Sequence, residues 1–223
     1  MNVSIVVFPG TNCDYDTQYA CDIAGVSSSF IWHKEREIPD NCDLVILPGG
    51  FSYGDALRSG SIARFSPIMQ AVAEFADKGG RVLGICNGFQ ILLESGLLPG
   101  AMKRNENLHF ISKHHHLKVM NTNNDFLKLF KSHDIVNIPI AHGEGNYYID
   151  NNGLKGLYDN EQVLLTYCDK DGEVLNPNGS VDSIAGICNK KKNIFGLMPH
   201  PERAMEKILG SDDGIDMMKG FFS

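Results

Sequence analysis

Arg81-Val-Leu-Gly-Ile-Cys86-Asn-Gly-Phe-Gln-Ile-Leu-Leu-Glu-Ser-Gly-Leu-Leu-Pro99 is the stretch that decides the fold. Val82, Leu83 and Ile85 make the short apolar run of a buried strand, and Phe89, Ile91, Leu92 and Leu93 crowd the helix that follows. Between them stands Cys86, with Gly84 and Gly88 two residues to either side. That spacing, a nucleophile between two glycines each one residue removed, belongs to the strand-turn-helix elbow. Such a turn forces the nucleophile's backbone against its neighbours, where a Cβ would clash. The Cys86 side chain would be pushed out at the carboxyl end of a strand and at a helix N-terminus, whose dipole and free N–H groups favour a thiolate. A cysteine that closes an apolar strand as a small core hydrophobe fits the same local pattern.

Upstream, Val3 to Phe8 is a β-branched apolar run ended by Pro9-Gly10. Asn12 or Asp14 can cap a helix over residues 15–25, which Gly25 closes. Ser28 to Trp32 and Leu44 to Leu47 read as the second and third strands. Ile62, Phe65, Met69, Val72 and Phe75 step by three and four, the apolar face of one long helix closed by Gly79-Gly80. This alternation predicts an α/β fold, a mostly parallel open sheet flanked by helices. Loops at the carboxyl ends of such strands bind ligands. Residues 49–60, Gly-Gly-Phe-Ser-Tyr-Gly-Asp-Ala-Leu-Arg-Ser-Gly, stand at that place, although their length and glycine content alone favour an ordinary connection.

Beyond Pro99-Gly100 helical periodicity gives way to short runs at 116–120, 135–140 and 163–167. These predict an antiparallel or mixed β portion appended to the parallel sheet. His114, His115 and His116 suggest metal ligands at first sight. Neighbouring side chains on a strand point to opposite faces, so a solvated strand or loop is expected there, and no metal site. Ser183 to Cys188 and Ile194 to Met198 form a strand pair that leads into Pro199-His200-Pro201-Glu202-Arg203, and residues 212–222 read as a last helix. No repeat, low-complexity tract or linker divides the 223 residues, so one domain, 1–223, is expected.

The net charge of -7 and pI near 5.6 argue against nucleic-acid and membrane-surface partners, either of which would need a basic face. Six scattered cysteines without a Cys-x-x-Cys pair suggest no zinc site. With no basic segment or cleavage site at the N-terminus and no apolar stretch of membrane-spanning length, a cytoplasmic protein with reduced thiols is expected. No phosphate-cradling glycine motif occurs, so no cofactor or nucleotide is expected on this chain.

A thiol that attacks a carboxamide needs a base, a group to orient that base, and donors for the oxyanion. His200 and Glu202 offer the base and its orienting partner. If the backbone is locally extended, their one-residue spacing puts both side chains on one side, and Pro199 and Pro201 stiffen it. By itself such a pair is weak evidence, and more often marks the start of a surface helix.

The elbow Gly-Ile-Cys86-Asn-Gly-Phe-Gln90, the Leu-Pro-Gly-Gly turn at 47–50 and Pro-His200-Pro-Glu202 together resemble the three signature blocks of class I glutamine amidotransferases. Pro-Gly-Gly-Phe-Ser-Tyr-Gly-Asp, Ala-His-Gly-Glu-Gly-Asn-Tyr, Met-Pro-His-Pro-Glu-Arg-Ala and the opening Phe-Pro-Gly-Thr-Asn-Cys-Asp are similar, within that class, to glutaminase subunits of phosphoribosylformylglycinamidine synthases. Lys113 departs from the arginine common at that place, which bears on a surface or partner contact. The resemblance implies that Cys86 attacks the side-chain amide of L-glutamine, with His200 as base and Glu202 orienting it. It implies an oxyanion hole from the backbone N–H groups of Gly50 and Asn87, and substrate contacts from Gln90 and from His142, Gly143 and Glu144. It further implies a large synthetase partner that binds ATP and magnesium, with a small third subunit. A glutaminase of another synthetase, a γ-glutamyl hydrolase and a non-catalytic thiol sensor are the alternatives. The two family-like loops stand against the first two, and the His200 and Glu202 pair against the third.

Overall fold

The computed structural model describes residues 1–223. In chain order it comprises β1 (Asn2–Val7), α1 (Asp14–Ile23), β2 (Ser27–Trp32), β3 (Leu44–Leu47), α2 (Pro67–Asp77), β4 (Arg81–Ile85) and α3 (Asn87–Glu94). There follow β5 (Ala101–Lys103), β6 (Ile111–Val119), β7 (Ile135–His142), β8 (Asn146–Tyr148), α4 (Asn151–Asp159), β9 (Val163–Cys168), β10 (Ile184–Cys188), β11 (Ile194–Leu197) and α5 (Gly214–Phe221).

Nine strands form one sheet in the order β2-β1-β3-β4-β11-β10-β9-β6-β7, and β5 pairs with β8 apart from it. The first five run parallel, and from β11 onward each pairing is antiparallel. The expected α/β fold is therefore present, with the antiparallel portion continuing the parallel sheet through β11 and β10. β3, β10 and β11 are buried along their whole length, as continuous apolar runs covered on both faces should be. No helix is long and apolar enough to cross a membrane.

Four local expectations are corrected. Cys13, with no side-chain hydrogen bond, occupies the cap position of α1 that Asn12 or Asp14 was expected to fill. The long helix is broken, because Ala63–Phe65 is a single 3-10 turn, Ser66 is extended, and α2 begins only at Pro67. A proline disfavours helical geometry in the residue before it, and Phe65 is left exposed. The histidine run is strand β6, but its middle member is not solvated: His115 is buried and its Nε2 lies 2.9 Å from the Leu175 carbonyl oxygen. Helix α4 was not foreseen; it buries only Leu157 and carries few apolar residues to signal it, and Asp150 caps it by accepting from the Gly153 N–H.

Candidate active site

Three loops leave the carboxyl ends of three adjacent parallel strands. Leu47 of β3 is level with Gly84 of β4, and Ile85 of β4 is level with Leu197 of β11. Gly49-Gly50, Cys86 and His200 follow directly, so segments far apart in sequence meet at one sheet edge. Two hydrogen bonds fix the meeting: the Cys86 N–H donates to the Leu197 carbonyl at 2.8 Å, and the His200 N–H donates to the Pro139 carbonyl of β7 at 2.8 Å.

The elbow has the strain its glycines predict. Cys86 sits at φ +50°, ψ -103° at the N-terminus of α3, a conformation that L residues adopt only when their surroundings impose it. A Cβ on Gly88 would lie 1.8 Å from the Leu47 carbonyl oxygen, so only glycine lets α3 approach β3 this closely. Cys86 is almost fully buried, and its Sγ lies 3.7 Å from the Ala141 carbonyl oxygen.

His200 and Glu202 are both buried and joined by a 2.7 Å hydrogen bond from Nδ1 to Oε1. The backbone that pairs them is not extended as expected; Pro201–Arg203 is a 3-10 turn, and the turn rather than strand alternation brings the carboxylate under the ring. His200 Nε2 and Glu202 Oε2 have no partners. Burial by itself lowers the pKa of His200, but Glu202 and then Cys86 outweigh it and hold the imidazole well above its ordinary range.

A second thiol flanks the ring. A Cβ on Gly49 would stand 2.7 Å from His200 Cε1 and 3.0 Å from Cys13 Sγ, so the ring and the thiol close on that glycine together. Burial pushes the Cys13 thiol up, and the neighbouring His200 opposes the rise. Cys13, His200 and Glu202 bring metal-ligand atoms within 4.8 Å of one another, though Nδ1 and Oε1 are already engaged with each other.

Beside Cys86 opens a cavity of about 270 Å³, lined among others by Gly50, Asp55, Gln90, His142 and Glu144. This is the scale of a single amino acid, just below ordinary ligand pockets. Residues 49–60 thus form a wall of the site, not the mere connection that their length suggested. Gly50 takes φ +142°, where a Cβ would stand 2.7 Å from the Asn12 nitrogen, and its N–H donates to no protein acceptor. Asn87 is the first residue of α3, so its N–H lacks an intrahelical acceptor. Its side chain accepts from the Ser52 N–H at 3.1 Å and donates to Gln90 Oε1 at 2.9 Å.

Gln90 lines the cavity, yet its amide is engaged at both ends, since Nε2 donates to the Glu144 carbonyl at 2.7 Å. His142 is buried with Nδ1 3.2 Å from Asn105 Oδ1 and Nε2 without a partner. Burial, and then the charge of His200, lower its pKa to about 4, so it is neutral at pH 7. Gly143 and Glu144 complete that wall, with Glu144 Oε2 accepting from the Ser59 N–H at 3.2 Å.

Sequence reasoning missed Cys13, Asp55, Ser59, Arg104 and Asn105. Cys13 and Asp55 lie inside the quoted family-like strings, which could have singled them out. Nothing signalled Asn105, which is fully buried and holds the 142–145 loop by bonding the Gly145 N–H and the His142 carbonyl.

Residues 1–213 match the family model of the CobB/CobQ-like glutamine amidotransferase domain. The chain is 67% identical over 221 residues to phosphoribosylformylglycinamidine synthase subunit PurQ of Sulfurimonas denitrificans, covering 99% of both chains. It is 60% identical to the subunit of the same name from Wolinella succinogenes, again covering 99% of both. Among solved structures it resembles a chain in the structure of PurLQS from Thermotoga maritima, with a TM-score of 0.89 and 41% identity over 99% of this chain and 97% of that one. Another glutamine amidotransferase from Thermotoga maritima, 15% identical with a TM-score of 0.59 over 91% of this chain and 76% of its own, shares the fold alone. On its sequence and its fold, the chain belongs to the CobB/CobQ-like glutamine amidotransferase family.

Proposed function

We propose that this chain is the glutaminase subunit of a phosphoribosylformylglycinamidine synthase, an enzyme of purine biosynthesis. The observation that carries the reading is the meeting of Cys86 with the bonded His200 and Glu202 pair at adjoining strand ends, beside a cavity of amino-acid size, in a chain whose full-length relatives bear that name.

Cys86 Sγ attacks the side-chain carbonyl carbon of glutamine while its proton passes to His200 Nε2, the ring nitrogen left free by the bond to Glu202. The negative oxygen that forms is held by the N–H groups of Gly50 and Asn87. His200 then protonates the departing nitrogen, the C–N bond breaks, and ammonia leaves a γ-glutamyl thioester on Cys86. Water, deprotonated by the same ring, attacks the thioester and frees glutamate and the thiol. Glu202 keeps the ring in register and stabilises its charged form throughout.

Free ammonia is protonated at neutral pH and lost as a nucleophile, so the hydrolysis has a use only against a synthetase that receives it in a sheltered path. The partner is an ATP- and magnesium-dependent synthetase subunit that converts formylglycinamide ribonucleotide to formylglycinamidine ribonucleotide, with a small third subunit completing the complex. Six free thiols and this chemistry accord with the cytoplasm.

Treatment with a glutamine-mimicking alkylator followed by mass mapping tests the nucleophile: Cys86 alone is labelled, and excess glutamine blocks it. Labelling elsewhere, or labelling indifferent to glutamine, rejects the glutaminase. Reconstitution with the synthetase tests the coupling, since glutamine turnover rises on complex formation; equal turnover with and without it rejects the partner.

A further inference from the structure

We propose that Cys13 is a positioning residue for the reaction: its sulfur holds the Cε1 edge of the His200 ring and so keeps Nε2 turned to Cys86. The proposal rests on the glutaminase reading. It gives a role to the opening Phe8-Pro-Gly-Thr-Asn-Cys-Asp14 stretch, which the chemistry above leaves idle.

One hydrogen bond does not fix an imidazole. The bond from Nδ1 to Glu202 Oε1 holds one corner of the ring, about which the rest can still tilt. Packing at Cε1, the carbon between the two nitrogens, limits that tilt. A Cβ on Gly49 would lie 2.7 Å from Cε1, 3.4 Å from Nδ1 and 3.0 Å from Cys13 Sγ, so ring edge and sulfur converge on one point.

Cys13 is itself held on every side. Its N–H donates to the Gly49 carbonyl at 3.2 Å, its carbonyl accepts from the Thr17 N–H at 3.0 Å and the Thr17 hydroxyl at 2.7 Å, and its thiol donates to Asn12 Oδ1 at 3.2 Å. With the S–H given to Asn12, the sulfur lone pairs are left for the ring. Sulfur at the edge of an aromatic ring is a favourable contact, and the C–H of a charged imidazole strengthens it. The thiol stays protonated, because burial raises its pKa, and so does not compete with Cys86 as a nucleophile.

The same segment grips the other parts of the site. The Phe51 N–H donates to the Gly10 carbonyl at 2.9 Å, and a Cβ on Gly50 would stand 2.8 Å from the Thr11 Cα. Arg203, next to Glu202, donates from Nε to Asp16 Oδ2 of α1 at 2.9 Å. Residues 10–16 therefore tie the loop that carries Gly50 to the turn that carries Glu202, and Cys13 is their contact with the base between them.

The test uses the protein complexed with its synthetase and compares Cys13→Ala, Cys13→Val and Cys13→Ser by steady-state glutamine hydrolysis and by melting. Alanine leaves the ring edge unsupported, valine restores bulk without lone pairs, and serine keeps both an acceptor for the ring and a donor for Asn12. In the alanine and valine variants kcat falls at least about tenfold with KM held within about twofold, and serine keeps kcat within about threefold. Should a Cys13 variant not fold, Asn12→Ala carries the test: it leaves the thiol in place but frees its S–H, and kcat falls at least about threefold at constant KM. Unchanged kcat in the alanine variant or in Asn12→Ala, full activity with valine, or parallel losses of kcat and Tm in all three Cys13 variants overturn the role while leaving the glutaminase intact. Absence of glutamine hydrolysis by the unsubstituted complex overturns both.

Discussion

The His200 Nδ1 to Glu202 Oε1 bond, 2.7 Å long and closed within one 3-10 turn, leaves the far nitrogen of the ring and the second carboxylate oxygen without partners in a buried setting. A buried, half-satisfied pair is costly unless chemistry uses the free atoms. The turn has settled which nitrogen is committed and which is free to take a proton from Cys86.

Glu202→Gln keeps the size of the side chain but removes the charge that holds the ring. Turnover of glutamine falls about 10³- to 10⁴-fold with KM little changed. Steady-state kinetics check this, and a loss below threefold removes Glu202 from the mechanism. The raised His200 pKa has a thermal counterpart. Because the folded value lies above the unfolded one near 6.5, the stabilisation is full below pH about 6.5 and is lost as pH rises through the folded value. Melting curves from pH 6 upward therefore show the two proteins converging with pH.

Gly49→Ala and Gly88→Ala separate site from scaffold. A methyl group on Gly88 meets backbone, the Leu47 carbonyl, and costs on the order of 1–3 kcal/mol, seen as a lower Tm. On Gly49 it meets the His200 ring and the Cys13 thiol, so turnover falls far more than stability does. Chemical denaturation beside kinetics distinguishes the two.

His142 gives the protein an acid-sensitive seam. Its folded pKa, near 4, lies below the unfolded value of about 6.5, so the unfolded chain binds the extra proton between them. Stability is lost as pH falls through that window, by a few kcal/mol at most. His142→Gln flattens the loss; an unchanged acid limb in urea titrations at pH 4 to 7 contradicts it.

Gln90→Leu removes the bridge between α3 and the 142–145 loop and strands the Asn87 amide and the Glu144 carbonyl. The expected cost is about 1–3 kcal/mol. KM for glutamine rises with it, because the wall carrying His142 and Glu144 loses its anchor; an unchanged KM argues that Asn105 alone suffices.

The parallel core was legible because its code is local. Val3 to Val7, Leu44 to Leu47 and Val82 to Ile85 are apolar runs cut by glycine and proline, and Gly84-x-Cys86-x-Gly88 has one tight conformation to adopt. Where the code was weak the reading slipped. Ser66 before Pro67 split a helix whose apolar steps ran on regardless, α4 hid in a segment with one buried leucine, and His115 took its burial from strand pairing that no local pattern records.

The sequence by itself determined the α/β class, the elbow at Cys86 and the residue types of a thiol-imidazole-carboxylate set, since these follow from periodicity, glycine spacing and side-chain chemistry. Only the tertiary structure decided that β3, β4 and β11 lie side by side, and hence that Gly50, Cys86 and His200 meet. It alone placed Cys13 against the ring, set Asp55 opposite Glu144, and engaged Gln90 at both ends. Those relations depend on which strands neighbour one another and how closely backbones approach, quantities fixed by long-range pairing and packing and carried by no single stretch of the chain.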